Sequence, residues 1–414
     1  MIMPHPTLCF PDVFPPHAQS LRGQNAPHDL YLTYNARGAL YQLLLSLPKE
    51  AGDTVILPAY HCTALVEPIL RAGYKVAFYR IKPDFAIDEL DLQATISTRV
   101  ALTIVIHFFG FPAPLGAVQK MVREHKSYLL EDCAHSFLSR AGNKFVGQGG
   151  DFSLFSYYKF APSLTGGGLG VNLNGFALQR PPITSFRRES LVIAKRLLEQ
   201  MALNSTKNPL SQFLLWLEER RLAGKKSAPP PPAESLSSAF VDDPYLFSDD
   251  LARAAIPALC RIVLESCDWK TIAQSRKRNY RLLSELIPDG PVLRRVMPEL
   301  PDTVVPWAFP VFLENRALHE RALRQLGVPL FTFGEILHPA LRASSGRARE
   351  EAEALSLCLM LLPVHAQLNC LEIKNFAGLL NHYVQQVEKV PVDTQEQVDP
   401  VLQKAGAITR GDQE

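Results

Sequence analysis

The chain has 414 residues, 47% of them hydrophobic and 20% charged, with a net charge of +2. That is enough apolar material for two or three domain-sized cores, and too even a charge balance to point to nucleic acid or an acidic polymer as partner. Seven cysteines occur without zinc-type spacing and read as reduced thiols, with no metal site expected. The opening MIMPHPTLCF lacks a basic stretch followed by an apolar one, so no signal peptide is expected. No apolar run approaches the ~20 residues that span a bilayer. The expectation is a cytoplasmic protein without membrane contact.

Residues 1–29 show no periodicity and read as an extended arm. ARGALYQLLLSL (36–47) has apolar residues at helical spacing, DTVILPA (53–59) is a β-branched run closed by Pro58, and TALVEPILRAG (63–73) predicts a helix ending at Gly73. YKVAFYRI (74–81) predicts a strand. VALTIVIHFFG (100–110) is continuously apolar, as strands buried on both faces are. APLGAVQKMVREH predicts a helix, and YLLEDCA (128–134) and FSLFSY (152–157) predict further strands. Helices alternating with such strands imply an α/β protein whose mostly parallel sheet is covered by helices on both faces.

Further along, 186–222 reads as amphipathic helix and 225–235 as a Pro-rich loop. The stretch 249–287 predicts a long helical segment with a break at Pro257. WAFPVFL predicts a strand, and LHERALRQLG and CLEIKNFAGLLNHYVQQV predict helices, which suggests a smaller C-terminal α/β domain. The expected division is an arm (1–29), a large domain (30–248), an interdomain helix with the small domain (249–390) and a disordered polar tail (391–414).

Ligands of parallel sheets bind outside the carboxyl ends of the strands. Asp132 follows YLLE, Lys159 follows FSLFSYY, and His107 lies late in TIVIHFFG. A lysine and a carboxylate facing one crevice suit pyridoxal 5′-phosphate (PLP): the amine forms the Schiff base, and the carboxylate keeps the pyridine nitrogen protonated. NARGAL (35–40) places small residues and free N–H groups at a helix start, where a phosphate is favoured, and Arg37 adds charge. Blander roles stand beside these. Asp132 could be an N-cap, Lys159 a surface lysine, Arg37 a surface helix residue, and His107 a structural histidine. The glycine cluster in SLTGGGLG lacks the acidic residue that a dinucleotide site requires about 20 residues on.

Taken in order, these pieces resemble the DegT/StrS group of PLP-dependent aminotransferases, which act mainly on nucleotide-linked keto sugars. NARGAL stands where the family has a Ser-Gly-Thr-type phosphate turn. AGDTVILPAYHCTA is similar to its Gly-Asp-Glu-Val-strand-Pro segment, VIHFFGFPAPL to its His-x-x-Gly segment, and LLEDCAHS to its Glu-Asp-Ala-Ala segment. GDFSLFSYYKFAPSLTGGGLGV resembles its lysine strand and glycine loop; RKRNYRLLSEL and LLPVHAQL also resemble family segments.

By position, the resemblance implies Lys159 as the Schiff-base lysine and proton carrier, Asp132 as partner of the pyridine nitrogen, and His135 near the ring hydroxyl. It implies Ala36, Arg37 and Ser156 as phosphate ligands, with Tyr60 or His61 covering the ring face. Three features depart from the family. Cys62 stands where many members have a stacking aromatic, Ser156 and Lys159 are only three residues apart, and PYLFSDDLARAA replaces the Asn-x-Arg segment. The resemblance implies a homodimer with its site at the interface, taking an amino donor, expected to be glutamate, and a carbonyl acceptor. The rivals are a PLP enzyme acting on a non-sugar natural-product intermediate and a PLP-binding regulatory protein without turnover.

Overall fold

The computed structural model describes residues 6, 29–178, 247–344 and 346–389. The expected amphipathic helix at 186–222, the Pro-rich loop, the tail and most of the arm lie outside these residues. The strands of the first half are β1 (Asp29–Thr33), β2 (Thr54–Pro58), β3 (Lys75–Tyr79), β4 (Val100–Ile106) and β5 (Tyr128–Asp132), the short hairpin β6 (Arg140–Ala141) and β7 (Lys144–Phe145), then β8 (Phe152–Ser156) and β9 (Gly167–Val171). All but the hairpin join one sheet, in the order β1-β9-β8-β5-β4-β2-β3. From β3 across to β8 the pairs are parallel; β9 runs antiparallel to both β8 and β1. The expected fold class, an α/β protein with a mostly parallel central sheet, is what the structure shows.

Every residue of β4 is buried, because the sheet is covered on both faces. Among the covering helices, Ala36–Ser46 is capped by the Asn35 side chain and Glu89–Thr95 by that of Asp88. The expected helix over 63–73 is split into a 3-10 turn, Thr63–Leu65, and a short helix, Glu67–Arg71. Pro68 has no N–H to donate back to Ala64, so a helix cannot run unbroken through it. The expected strand over 100–110 stops at Ile106, and Phe108–Gly110 turns sharply, with φ of 56° at Phe109 and 115° at Gly110.

Three further strands, β10 (Leu293–Arg295), β11 (Ala308–Leu313) and β12 (Leu359–Pro363), form an antiparallel sheet in that order. The helices Trp269–Leu286 and Cys370–Glu388 lie against it and bury a second cluster that includes Tyr280, Leu283, Phe309, Leu362 and Phe376. The long helical stretch expected over 249–287 is three helices, Asp249–Ala252, Ala258–Ser266 and Trp269–Leu286. Besides Pro257 there is a second break at Asp268, whose carboxylate accepts from Thr271 N–H and starts a new helix. An ion network ties the two sheets' surroundings together: Arg80, at the end of β3, donates to Asp88 (2.5 Å) and to Glu351 (2.6 Å) on the helix Arg347–Cys358. Among the described residues no helix is long and apolar enough to cross a membrane.

Candidate active site

β4, β5 and β8 are adjacent and parallel, so their carboxyl ends share one edge of the sheet, where the crevices of such sheets form. Asp132 closes β5, and Lys159 ends the 3-10 turn Tyr157–Lys159 that follows β8 directly. β5 and β8 are neighbours, with Asp132 opposite Leu154. Asp132 is buried, and its Oδ1 accepts from Ala134 N–H at 2.9 Å. Burial raises its pKa, while the Ala134 N–H and the charge of Lys159 act against the rise. Lys159 is shifted the other way. Burial lowers its pKa, and Cys62 and Asp132 pull it partly back. Its Nζ sits 4.6 Å from the centre of the Trp307 ring, an attractive cation–π placement.

The candidate phosphate end is built by one close approach. Ser156 pairs with Gly167 in the β8–β9 ladder, and Gly167 pairs with Thr33 of β1. A Cβ on Gly167 would overlap the Asn35 carbonyl carbon and the Ala36 nitrogen. The missing side chain thus brings the start of the helix Ala36–Ser46 down onto the end of β8. Asn35 Oδ1 caps Gly38 N–H at 2.9 Å, and helix geometry leaves the N–H groups of Ala36 and Arg37 without an intrahelical acceptor. Tyr158 links the two segments: its hydroxyl hydrogen-bonds with the Ser156 side chain and lies in the field of Arg37. Free helix N–H groups, a guanidinium and two hydroxyls form a donor set suited to a phosphate. Together with a buried carboxyl and a lysine amine, they fit PLP.

The two ring-face candidates are Tyr60 and His61. Tyr60 is fully buried among Phe85, Phe108 and Phe333, and its hydroxyl donates to the Phe333 carbonyl. His61 lies flat on Phe78, rings 5.3 Å apart at 8°, with Nδ1 at 2.9 Å from the carbonyls of both Pro58 and Ala59. The member of this turn that shares the electrostatic field of Lys159 is Cys62, which is exposed. His135 is buried and stacks on Trp307, ring centres 3.8 Å apart, with Phe109 6.0 Å away.

His107 has a holding role. Its Nδ1 accepts from Ala113 N–H, so Nε2 carries the proton and donates to Glu131 at 2.9 Å. Glu131 also accepts from the N–H groups of Gly147, Gly149 and Gly150. Burial pushes its carboxyl pKa up, but the His107 bond and the glycine N–H groups outweigh that and hold it below the usual value.

Three residues at the site carry no role in the sequence reading. Tyr158 is a second tyrosine in a buried run, with nothing local to single it out. Trp307 immediately precedes β11, about 150 residues beyond Lys159, and only the fold brings it there. Arg276 had a legible signal: it shares the stripe Arg276-Tyr280-Leu283-Ile287, which marks the buried face of its helix.

Residues 31–174 match the model of the DegT/DnrJ/EryC1/StrS aminotransferase family. Over 144 residues the chain is 28% identical to the GDP-perosamine synthase of Escherichia coli O157:H7, covering 34% of this chain and 40% of that protein. Over 146 residues it is 30% identical to the UDP-4-amino-4,6-dideoxy-N-acetyl-beta-L-altrosamine transaminase of Helicobacter pylori, covering 34% and 39%. The chain thus matches less than half the length of these relatives. The fold extends further. The solved Helicobacter pylori aminotransferase PseC, involved in the biosynthesis of pseudoaminic acid, superposes with a TM-score of 0.61 at 16% identity, covering 93% of this chain and 99% of that one. Over residues 31–174, then, the chain is similar to the DegT/DnrJ/EryC1/StrS aminotransferases, and it shares the fold of the solved PseC structure over nearly its whole length.

Proposed function

We propose that this protein is a PLP-dependent aminotransferase that moves an amino group from an amino acid, glutamate, to the keto group of a nucleotide-linked sugar. The observation that carries this reading is the meeting of Lys159 and Asp132 at the carboxyl ends of two adjacent strands, beside the open helix start at Ala36 and Arg37. The printed names of the two curated relatives concern nucleotide-linked amino sugars, which supports the choice of acceptor.

Lys159 would hold the cofactor's aldehyde carbon, and Asp132 the proton on its pyridine nitrogen. Ala36 and Arg37 N–H groups, the Arg37 guanidinium and Ser156 would hold the phosphate. When bound, PLP supplies an electron sink for the pair left as a Cα–H bond breaks. The depressed proton affinity of Lys159 leaves more of its amine neutral at neutral pH, as a base that takes the Cα proton requires. Once it has taken that proton it can return it at the adjacent carbon. Trp307 and His135 wall one side of the crevice and limit water there.

A large cofactor domain over 30–248 and a smaller one over 249–390 suit this reading, since the second sheet encloses its own buried cluster. So does a homodimer with its sites at the interface. The test is to purify the protein with PLP, record the chromophore's absorbance, and add glutamate and then nucleotide-linked keto sugars. Bleaching by glutamate and recovery with the acceptor are expected. Lys159→Ala should abolish the parent's chromophore while circular dichroism stays unchanged. A bound chromophore that no amino acid alters would overturn the aminotransferase reading in favour of a non-catalytic one.

A further inference from the structure

Arg276 is fully buried on the helix Trp269–Leu286, and no carboxylate among the described residues pairs with it. Among the described residues its guanidinium reaches only carbonyls and a ring. Nη1 donates to Trp307 O (3.0 Å) and Pro306 O (3.3 Å), and Nη2 donates to Lys159 O (2.7 Å) and Phe160 O (3.5 Å). The Phe160 ring lies 4.6 Å from Cζ. Burying a cation without a counter-ion is costly, and here burial lowers the guanidinium pKa to about 9. Carbonyl dipoles offset part of that cost, and an apolar side chain on this stripe would avoid it. The charge therefore needs a reason, and its two nitrogens supply one, since each grips a different segment of the crevice.

The Trp307 side of the grip is itself anchored. Trp307 N–H donates to Phe109 O at 2.8 Å, and Val305 N–H donates to Ser139 Oγ at 2.9 Å. Ser139 Oγ in turn donates to Gly110 O at 2.6 Å. Gly110, at φ 115°, is the residue that lets the 305–306 backbone come close, because a Cβ there would sit 2.6 Å from Val305 O. Trp307 is thus held at its N–H by Phe109 and at its carbonyl by Arg276, and its ring faces Lys159 Nζ.

We propose that Arg276 is a positioning residue for the Lys159 amine: one guanidinium nitrogen fixes the backbone of Lys159 and the other that of Trp307, so the amine is held against the indole face, out of bulk water. The amine's use in catalysis rests on the aminotransferase reading, but the clamp itself does not. Loosening it lets the turn Tyr157–Lys159 move and water reach Nζ; relief of burial, the largest influence on this amine, outweighs the lost cation–π attraction, and the ammonium becomes harder to deprotonate. A staple that served packing alone would cost stability when cut and leave the amine's titration where it was.

The experiment uses the full-length protein without PLP. Trace acetic anhydride labels Lys159 across a pH series, and peptide mass spectrometry reads the inflection of its acetylation rate. Arg276→Lys, which still spans one pair of carbonyls, should move the inflection up toward that of an ordinary lysine. Arg276→Gln should move it further, by about one unit, or roughly tenfold less neutral amine near pH 7. The affinity for added PLP, read by absorbance, should fall in the same order. If one variant fails to fold, the other decides. A folded variant whose inflection and PLP affinity match the parent's overturns the clamp, whatever its melting temperature. The labelling needs no cofactor, so failure of the parent to bind PLP would sink the aminotransferase reading and leave the clamp standing.

Discussion

His61 offers a perturbation whose size follows from its surroundings. Its ring is buried, stacked on Phe78, with Nδ1 bound to two carbonyls, so that nitrogen carries the proton. Among the described residues no partner reaches Nε2. Burial lowers the imidazole pKa to about 4, against the pull of the Pro58 and Ala59 carbonyls. The unfolded chain has an ordinary histidine there, near ~6.5. Below that pH the unfolded state takes up a proton that the folded state refuses. Stability is therefore intact above about pH 6.5 and is lost as pH falls toward the folded pKa. For one such group the loss is roughly 2 kcal/mol at pH 5 and about 3 kcal/mol at pH 4. His61→Asn keeps an N–H donor for the carbonyls but cannot titrate. Urea unfolding of the parent and the variant from pH 7 to pH 5 should show the parent losing about 2 kcal/mol more than the variant. Titrating groups that do not interact with His61 cancel in that difference. A flat difference across this range would show that the ring is already solvated in the folded protein, and the reasoning would fail.

Three substitutions probe the cofactor groups. Asp132→Asn should retain PLP yet lose most turnover with glutamate, because an amide cannot hold the pyridine proton; a rate within a few-fold of the parent would mark Asp132 as a structural group. Arg37→Ala should weaken PLP retention on dialysis by about tenfold to a hundredfold, the worth of a charge-assisted hydrogen bond of ~1.5–3 kcal/mol, and excess PLP should restore activity; unchanged retention with a raised KM for the acceptor would place Arg37 on the substrate instead. Gly167→Ala forces a Cβ into the Asn35–Ala36 backbone, so it should cost about 1–3 kcal/mol and lower PLP affinity at once; intact affinity would show that the helix start does not hold the phosphate.

The parallel sheet was legible because its strands are buried on both faces, and a short, uninterrupted, β-branched run such as VALTIVI suits a doubly covered strand far better than a helix. Local breaks were harder. Pro68 and Asp268 are written plainly, but each sits inside a pattern that reads as helix, and the apolar spacing outvotes a single residue. The crevice was half legible. Asp132 and Lys159 stand at strand ends that the alternation of elements predicts, and a sheet of this kind brings such ends together. The orientation of side chains within a turn was not. Two consecutive residues, Tyr60 and His61, were the candidates for the ring face, and their directions depend on Phe333 and Phe78, which no local pattern reveals.

The segment shared with the aminotransferase family ends at residue 174, yet the immediate surroundings of Lys159 do not. Its backbone carbonyl is held by Arg276 and its amine faces Trp307, both from the part of the chain that packs with the second sheet. On the proposed reading, a substrate would approach Lys159 between the matched segment and this later part. On that reading, the cofactor chemistry would reside in 31–174, and the choice of acceptor would depend on residues that the matched segment does not contain. Swapping Trp307 for Phe should accordingly leave the half-reaction with glutamate closer to the parent's rate than the half-reaction with the keto acceptor. Single-turnover absorbance with each substrate in turn separates the two, and equal losses in both would place Trp307 with the common chemistry instead.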